Sequence, residues 1–228
     1  MDVQDIIYKA STWIIPALLA ITLHEAGHAF AAWKLGDPTA KSQGRVTLNP
    51  LKHVDPMGTI ILPGLLLLLK APFLFGYAKP VPVNFGRLGN PRRDMVLVAL
   101  AGPGMNFVLA FIFALGFHLV VYLPETQGLW AFENMRNGLI LNVVLGVFNL
   151  LPIPPLDGGK VAVGILPNAL AVPLAKLERY GFMILIGIIF LLPMATRAMG
   201  HEINLLRWVN EGPIAYVVSF IAKAAGLH

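Results

Sequence analysis

No cysteine occurs in the 228 residues, and that absence removes disulfides, thiolate metal ligands and thiol nucleophiles together. Any metal in this chain must therefore be held by histidine and carboxylate. Charge is scarce as well. Charged residues make up 13% of the chain against 57% hydrophobic, whereas soluble domains carry about 25% charged residues. So few charges cannot cover a water-facing surface, and a mean hydropathy of +0.71 calls for lipid as the solvent. The net charge of +5 does not mark a nucleic-acid binder, because the basic residues flank apolar runs instead of forming an aromatic-interleaved patch. Internal repeats and low-complexity linkers are absent. The acidic start, residues 1–13, lacks a small-residue cleavage site, so the first apolar helix is expected to persist in the mature protein. Residues 1–228 are expected to form a single membrane-embedded domain.

What is present is a series of apolar runs. A spanning helix needs about 20 residues, and runs at 6–35, 95–123, 135–151 and 174–192 meet or approach that length. Residues 203–227 read as a last span or an interfacial amphipathic helix. The run 58–78 is broken by Pro63-Gly64, Lys70 and Pro72, which suits a re-entrant shape as well as a crossing. Short strands are expected at 44–48 and 81–84, and 124–133 reads as an acidic loop. The fold class is thus an all-α polytopic membrane protein of about 4–6 spans, with short strand or re-entrant elements and a three-helix catalytic core. Between Lys34 and Asp94 stand nine Lys/Arg against three acids, while 124–133 holds Glu125 and Glu133 without a base. The positive-inside rule places 34–52 and 79–93 in the cytoplasm and 124–133 outside.

The sharpest feature is His24-Glu25-Ala26-Gly27-His28. Residues four apart share a helix face, so both imidazoles reach one ion, with Glu25 beside them to take a proton. An acid at the centre of a spanning helix costs about 2.5–3.5 kcal/mol. Three titratable groups in five positions therefore demand compensation, and a bound zinc ion supplies it. A catalytic zinc also needs a third protein ligand. His53, His118, His201 and His228 remain, with Asp157, which follows an apolar run and precedes Gly158-Gly159. Asp157 reads equally as a helix-terminal turn residue or as the ligand. If 58–78 does not cross, the His24 helix and the 135–151 helix run parallel, and Asp157 falls at the depth of His24. His53 reads as a solvated loop residue or as a gate near the metal. Each ligating imidazole also needs a partner for its second ring nitrogen, which no residue in the sequence identifies.

These residues resemble the site-2 proteases, the intramembrane zinc metalloproteases, in their minimal branch without a PDZ domain. The resemblance rests on His24-Glu25-Ala26-Gly27-His28, on Gly102-Pro103-Gly104-Met105-Asn106, and on Leu156-Asp157-Gly158 after Asn149-Leu150-Leu151-Pro152. It implies one Zn2+ per chain held by His24, His28 and Asp157, with Glu25 as catalytic base. It also implies that Asn106 holds the substrate or stabilises the oxyanion. The partners implied are the lipid bilayer and a membrane-protein substrate with a transmembrane helix, cut in a cell membrane on its cytoplasmic side. A metal transporter or chaperone with the same ligands is the rival reading. It lacks the relay sites and His-rich loop that transport needs.

Overall fold

The computed structural model describes residues 3–61, 65, 79–201 and 203–227. Most of the 58–78 run, including Pro63-Gly64, Lys70 and Pro72, lies outside the described residues. Six main helices carry the architecture: α1 (Val3–Lys34), α2 (Pro91–Val120), α3 (Glu125–Asn149), α4 (Asp157–Ile165), α5 (Asn168–Ala198) and α6 (205–224). Three of them are long and apolar enough to cross a bilayer: Ile7–Lys34 of α1, α2 and α5. The 25-residue α3 is less apolar because Asn134, Asn137 and Asn142 point into the protein, all buried. The acidic loop expected at 124–133 is instead the first turns of α3. Pro124, with φ −57° and ψ 152°, starts the helix at Glu125, its fixed φ suiting that position. The turn from α2 shrinks to a few residues. No strand occurs among the described residues; 44–48 is a set of turns and 81–84 is extended but unpaired with a neighbour strand.

Helices α1, α2 and α3 form the centre, each packed against the other two. Their register can be read from polar contacts. Trp130 Nε1–H donates to Ser11 Oγ at 2.9 Å, Asn137 Nδ2 to the Thr12 carbonyl at 3.1 Å, and Asn106 Nδ2 to the Ala20 carbonyl at 3.2 Å. Hence α1 and α3 run parallel and α2 runs antiparallel to both. The Asn137 bond has a local cause. Pro16, inside α1, has no N–H, so the Thr12 carbonyl four residues earlier loses its helical donor; Asn137 replaces it. Asn137→Leu, of similar size, is expected to lower the stability of the detergent-solubilised protein by about 1 kcal/mol, measured by thermal unfolding.

The tail helix α6 does not lie apart. Val209, Ile214, Ile221 and Ala225 join Ala110, Phe113, Leu139 and Val143 in the largest apolar cluster. His118 Nε2–H, on α2, donates to the Ala225 carbonyl at 2.7 Å. At the other end of the bundle, Arg92 on the first turn of α2 donates to the Gly164 carbonyl (2.9 Å), to Asn168 Oδ1 (2.9 Å) and to the Leu166 carbonyl. One guanidinium thereby fixes the junction of α4 and α5. Helix α1 ends where Gly36 takes φ +111°, a conformation that only glycine adopts readily.

Candidate metal centre

The site forms where α1, α2 and the start of α4 meet. His24 Nε2 and His28 Nε2 lie 3.0 Å apart, and Asp157 Oδ2 is 3.2 Å from the first and 3.1 Å from the second. Two glycines permit this convergence. A Cβ on Gly102 would stand 2.3 Å from His28 Nε2 and 2.8 Å from His24 Cε1; one on Gly158 would stand 2.3 Å from the Leu150 and Leu151 carbonyl oxygens. The first lets α2 pass over the imidazoles. The second lets α4 begin directly against the end of α3, with Asp157 in its first turn.

The second ring nitrogens decide what the three atoms present. His24 Nδ1–H donates to Asn106 Oδ1 at 2.6 Å, and His28 Nδ1–H donates to the Val98 carbonyl at 2.7 Å. Neutral rings protonated at Nδ1 carry bare lone pairs at Nε2. In that tautomer two lone pairs and a carboxylate oxygen, all largely buried, face one another. That arrangement repels itself unless a cation sits among the donors. A tetrahedral zinc with bonds near 2.0–2.1 Å would set neighbouring donors about 3.3 Å apart, close to the observed triangle. The donor set fits zinc. It is also the sole group of three His, Asp or Glu side chains, among the described residues, arranged to hold a metal.

Glu25 is half-buried, and its Oε2 accepts the Val81 N–H at 2.8 Å. Asn106 is completely buried. Its Nδ2 hydrogens go to the Ala20 carbonyl and to Asn142 Oδ1 at 2.9 Å, and Asn142 is itself anchored to the Gly138 carbonyl at 2.8 Å. Both Asn106 amide hydrogens are thus engaged within the protein, and its Oδ1 faces the His24 ring. His53 is not the solvated loop residue weighed from sequence, being 1% exposed. Burial pushes its pKa down, with Arg45 adding to the effect and the bond to the Thr47 carbonyl opposing it. His118 caps the tail helix, far along α2 from the cluster, and His201 is exposed.

Two supports escaped the sequence reading. Lys160, one turn after Asp157, places Nζ 3.3 Å from Asp157 Oδ1, holding the carboxylate by the oxygen that faces away from the imidazoles. Its spacing of three from Asp157 on a helix was the available signal. The Val98 carbonyl carried none, since every residue has one.

Comparison with known proteins agrees with this chemistry. Residues 126–194 match Peptidase family M50. The chain is 40% identical over 199 residues to "Putative zinc metalloprotease YwhC" of Bacillus subtilis, covering 84% of this chain and 85% of that one. It is 33% identical over 210 residues to "Putative zinc metalloprotease Rip2" of Mycolicibacterium smegmatis, covering 92% and 76% respectively. No solved structure matches the chain at a significant level. With a motif-bearing helix pair, a distant aspartate closing on it, and a relative of this identity matched over most of both lengths, the chain belongs to peptidase family M50, the zinc metalloproteases of the site-2 protease type.

Proposed function

We propose that this protein is an intramembrane endopeptidase that hydrolyses a peptide bond within, or at the end of, a substrate's transmembrane helix. The observation that carries the reading is the convergence of His24, His28 and Asp157 beside Glu25, with both histidines and Glu25 on a helix apolar enough to cross a bilayer and Asp157 at the start of the short α4. When bound, zinc supplies Lewis acidity: it polarises a carbonyl and brings water into the range where a carboxylate can take its proton. Glu25 takes that proton and delivers it to the leaving amine, as base and then acid. Asn106 keeps the His24 ring turned with Nε2 toward the ion, and Val98 does the same for His28 through its carbonyl. Lys160 and the α4 start hold Asp157 in place.

The whole chain acts as one membrane-embedded domain in a cell membrane. The basic stretches at 34–52 and 79–93 support a site toward the cytoplasm, since His24 and His28 lie in the C-terminal third of α1. A membrane-protein substrate must unwind locally to expose its peptide bond, since helical hydrogen bonds shield it. Metal removal tests the reading. The purified chain is expected to hold about one zinc. A chelator should abolish cleavage of a single-span peptide in liposomes, and added zinc should restore it. Cleavage that persists in chelator-treated, zinc-free protein would sink the proposal.

A further inference from the structure

Glu25 draws support from outside the helices. The Val81 N–H that it accepts belongs to the extended segment 79–84. Val81 stands between Pro80 and Pro82, and neither proline carries an N–H. Across those three residues the Val81 amide is the single backbone donor, displayed on a stretch that the rings hold stiff. The segment is anchored on both sides of Val81. Lys79 N–H donates to the His53 carbonyl at 3.0 Å, and the Lys79 carbonyl accepts Arg45 Nη2 at 2.5 Å. Asn84 N–H donates to Asp37 Oδ2 at 2.6 Å. Asp37 is fully buried and also takes the Thr39 N–H and hydroxyl.

Arg45 and His53 are 5% and 1% exposed. His53 Nε2–H donates to the Thr47 carbonyl at 3.0 Å, which folds the 47–53 turn around it. Arg45 Nε and His53 Nδ1 are buried without a hydrogen-bond partner among the described residues. A buried guanidinium with a donor unmet is costly, and an apolar residue would fill this space at lower cost. What an apolar residue could not do is grip the Lys79 peptide. A glutamate side chain has three rotatable bonds, and one donor on Oε2 fixes the carboxylate while leaving Oε1 to take the proton.

We propose that Arg45 and His53 are positioning residues for the general base: they lock the Lys79 peptide so that the Val81 N–H holds the Glu25 carboxylate in its proton-transfer geometry. This rests on the assignment of Glu25 as base, which Glu25→Gln tests separately.

The experiment measures kcat, KM and bound zinc in liposomes with a fluorogenic peptide of about 20 apolar residues. Val81→Pro deletes the N–H, and Val81→Ala keeps it. Val81→Pro is expected to lower kcat about 10- to 100-fold, with KM and zinc content unchanged, while Val81→Ala behaves as the parent. Arg45→Ala should fall with Val81→Pro, and Arg45→Lys, which retains a donor, should recover part of the loss. Because both act through one bond, the double variant should be no worse than Val81→Pro alone. Parental kcat in Val81→Pro overturns the proposal, as does an Arg45→Ala loss that multiplies with it. If Val81→Pro fails to hold zinc, the Arg45 pair decides, and parental kcat in Arg45→Ala overturns it. Parental cleavage by Glu25→Gln would instead remove the base assignment itself.

Discussion

Glu25→Gln should reduce proteolysis about 1,000-fold or more while leaving close to one zinc per chain. Glutamine keeps the shape of the side chain and an oxygen to accept the Val81 N–H, so the local structure has no reason to change. It cannot take up a proton at neutral pH. Zinc should remain because the converging donors belong to His24, His28 and Asp157, with Glu25 outside that set. Paired measurements of zinc by mass spectrometry and of cleavage in liposomes check both halves. Loss of metal together with activity would mean that Glu25 shapes the ligand set and is not purely a proton carrier. A cutting Gln variant would place the base elsewhere. The same variant, inert but intact, is also suited to capturing bound membrane proteins for identification.

Gly102→Ala should empty the site altogether. The added methyl would stand 2.3 Å from His28 Nε2 and 2.5 Å from His28 Cε1, well inside van der Waals contact. The obstacle is not a flexible tip, because His28 is held at Nδ1 by the Val98 carbonyl and its ring lies between packed helices. Either the ring turns away, which takes Nε2 out of the triangle, or α2 moves off α1, which withdraws Asn106 from His24. Both outcomes cost the zinc and hence all activity. Gly104→Ala is the control two residues along the same helix: nothing lies within 4 Å of its added methyl, and zinc and activity should be retained. Equal metal loss in the two variants would show that α2 tolerates no alanine there for reasons unrelated to the imidazoles.

The group of His24, His28 and Asp157 that could hold a metal was legible in the sequence for a physical reason. Titratable groups are expensive in lipid, so His24, Glu25 and His28 stand out against an apolar run, and the lack of cysteine left few other donors. Asp157 was distinguishable by its place after a span and before two glycines. The identity of the helices was legible too, since apolar length is written in composition, although α3 began ten residues earlier than its apolar run suggested. Other features were hidden. Asn106 is visible as a polar residue on an apolar helix, but whether its amide faces a substrate or a neighbouring imidazole depends on rotation of that helix. The strands expected at 44–48 and 81–84 had suitable residues, yet their backbone groups are taken locally: Asp37 accepts from Asn84 and Glu25 from Val81, while Gly44 and Arg45 donate to the Lys41 and Ala40 carbonyls. His53 looked solvated because a loop position says nothing about what folds over it.

The third donor lies 129 residues beyond His28 along the chain, past two further helices. During synthesis the histidine pair is inserted long before the aspartate leaves the ribosome. A chain cut short, or one whose later helices have yet to enter the bilayer, carries the recognisable pentapeptide but cannot close the coordination set. Such a nascent protease is silent toward the membrane proteins around it, and hydrolytic competence arrives only with the completed topology.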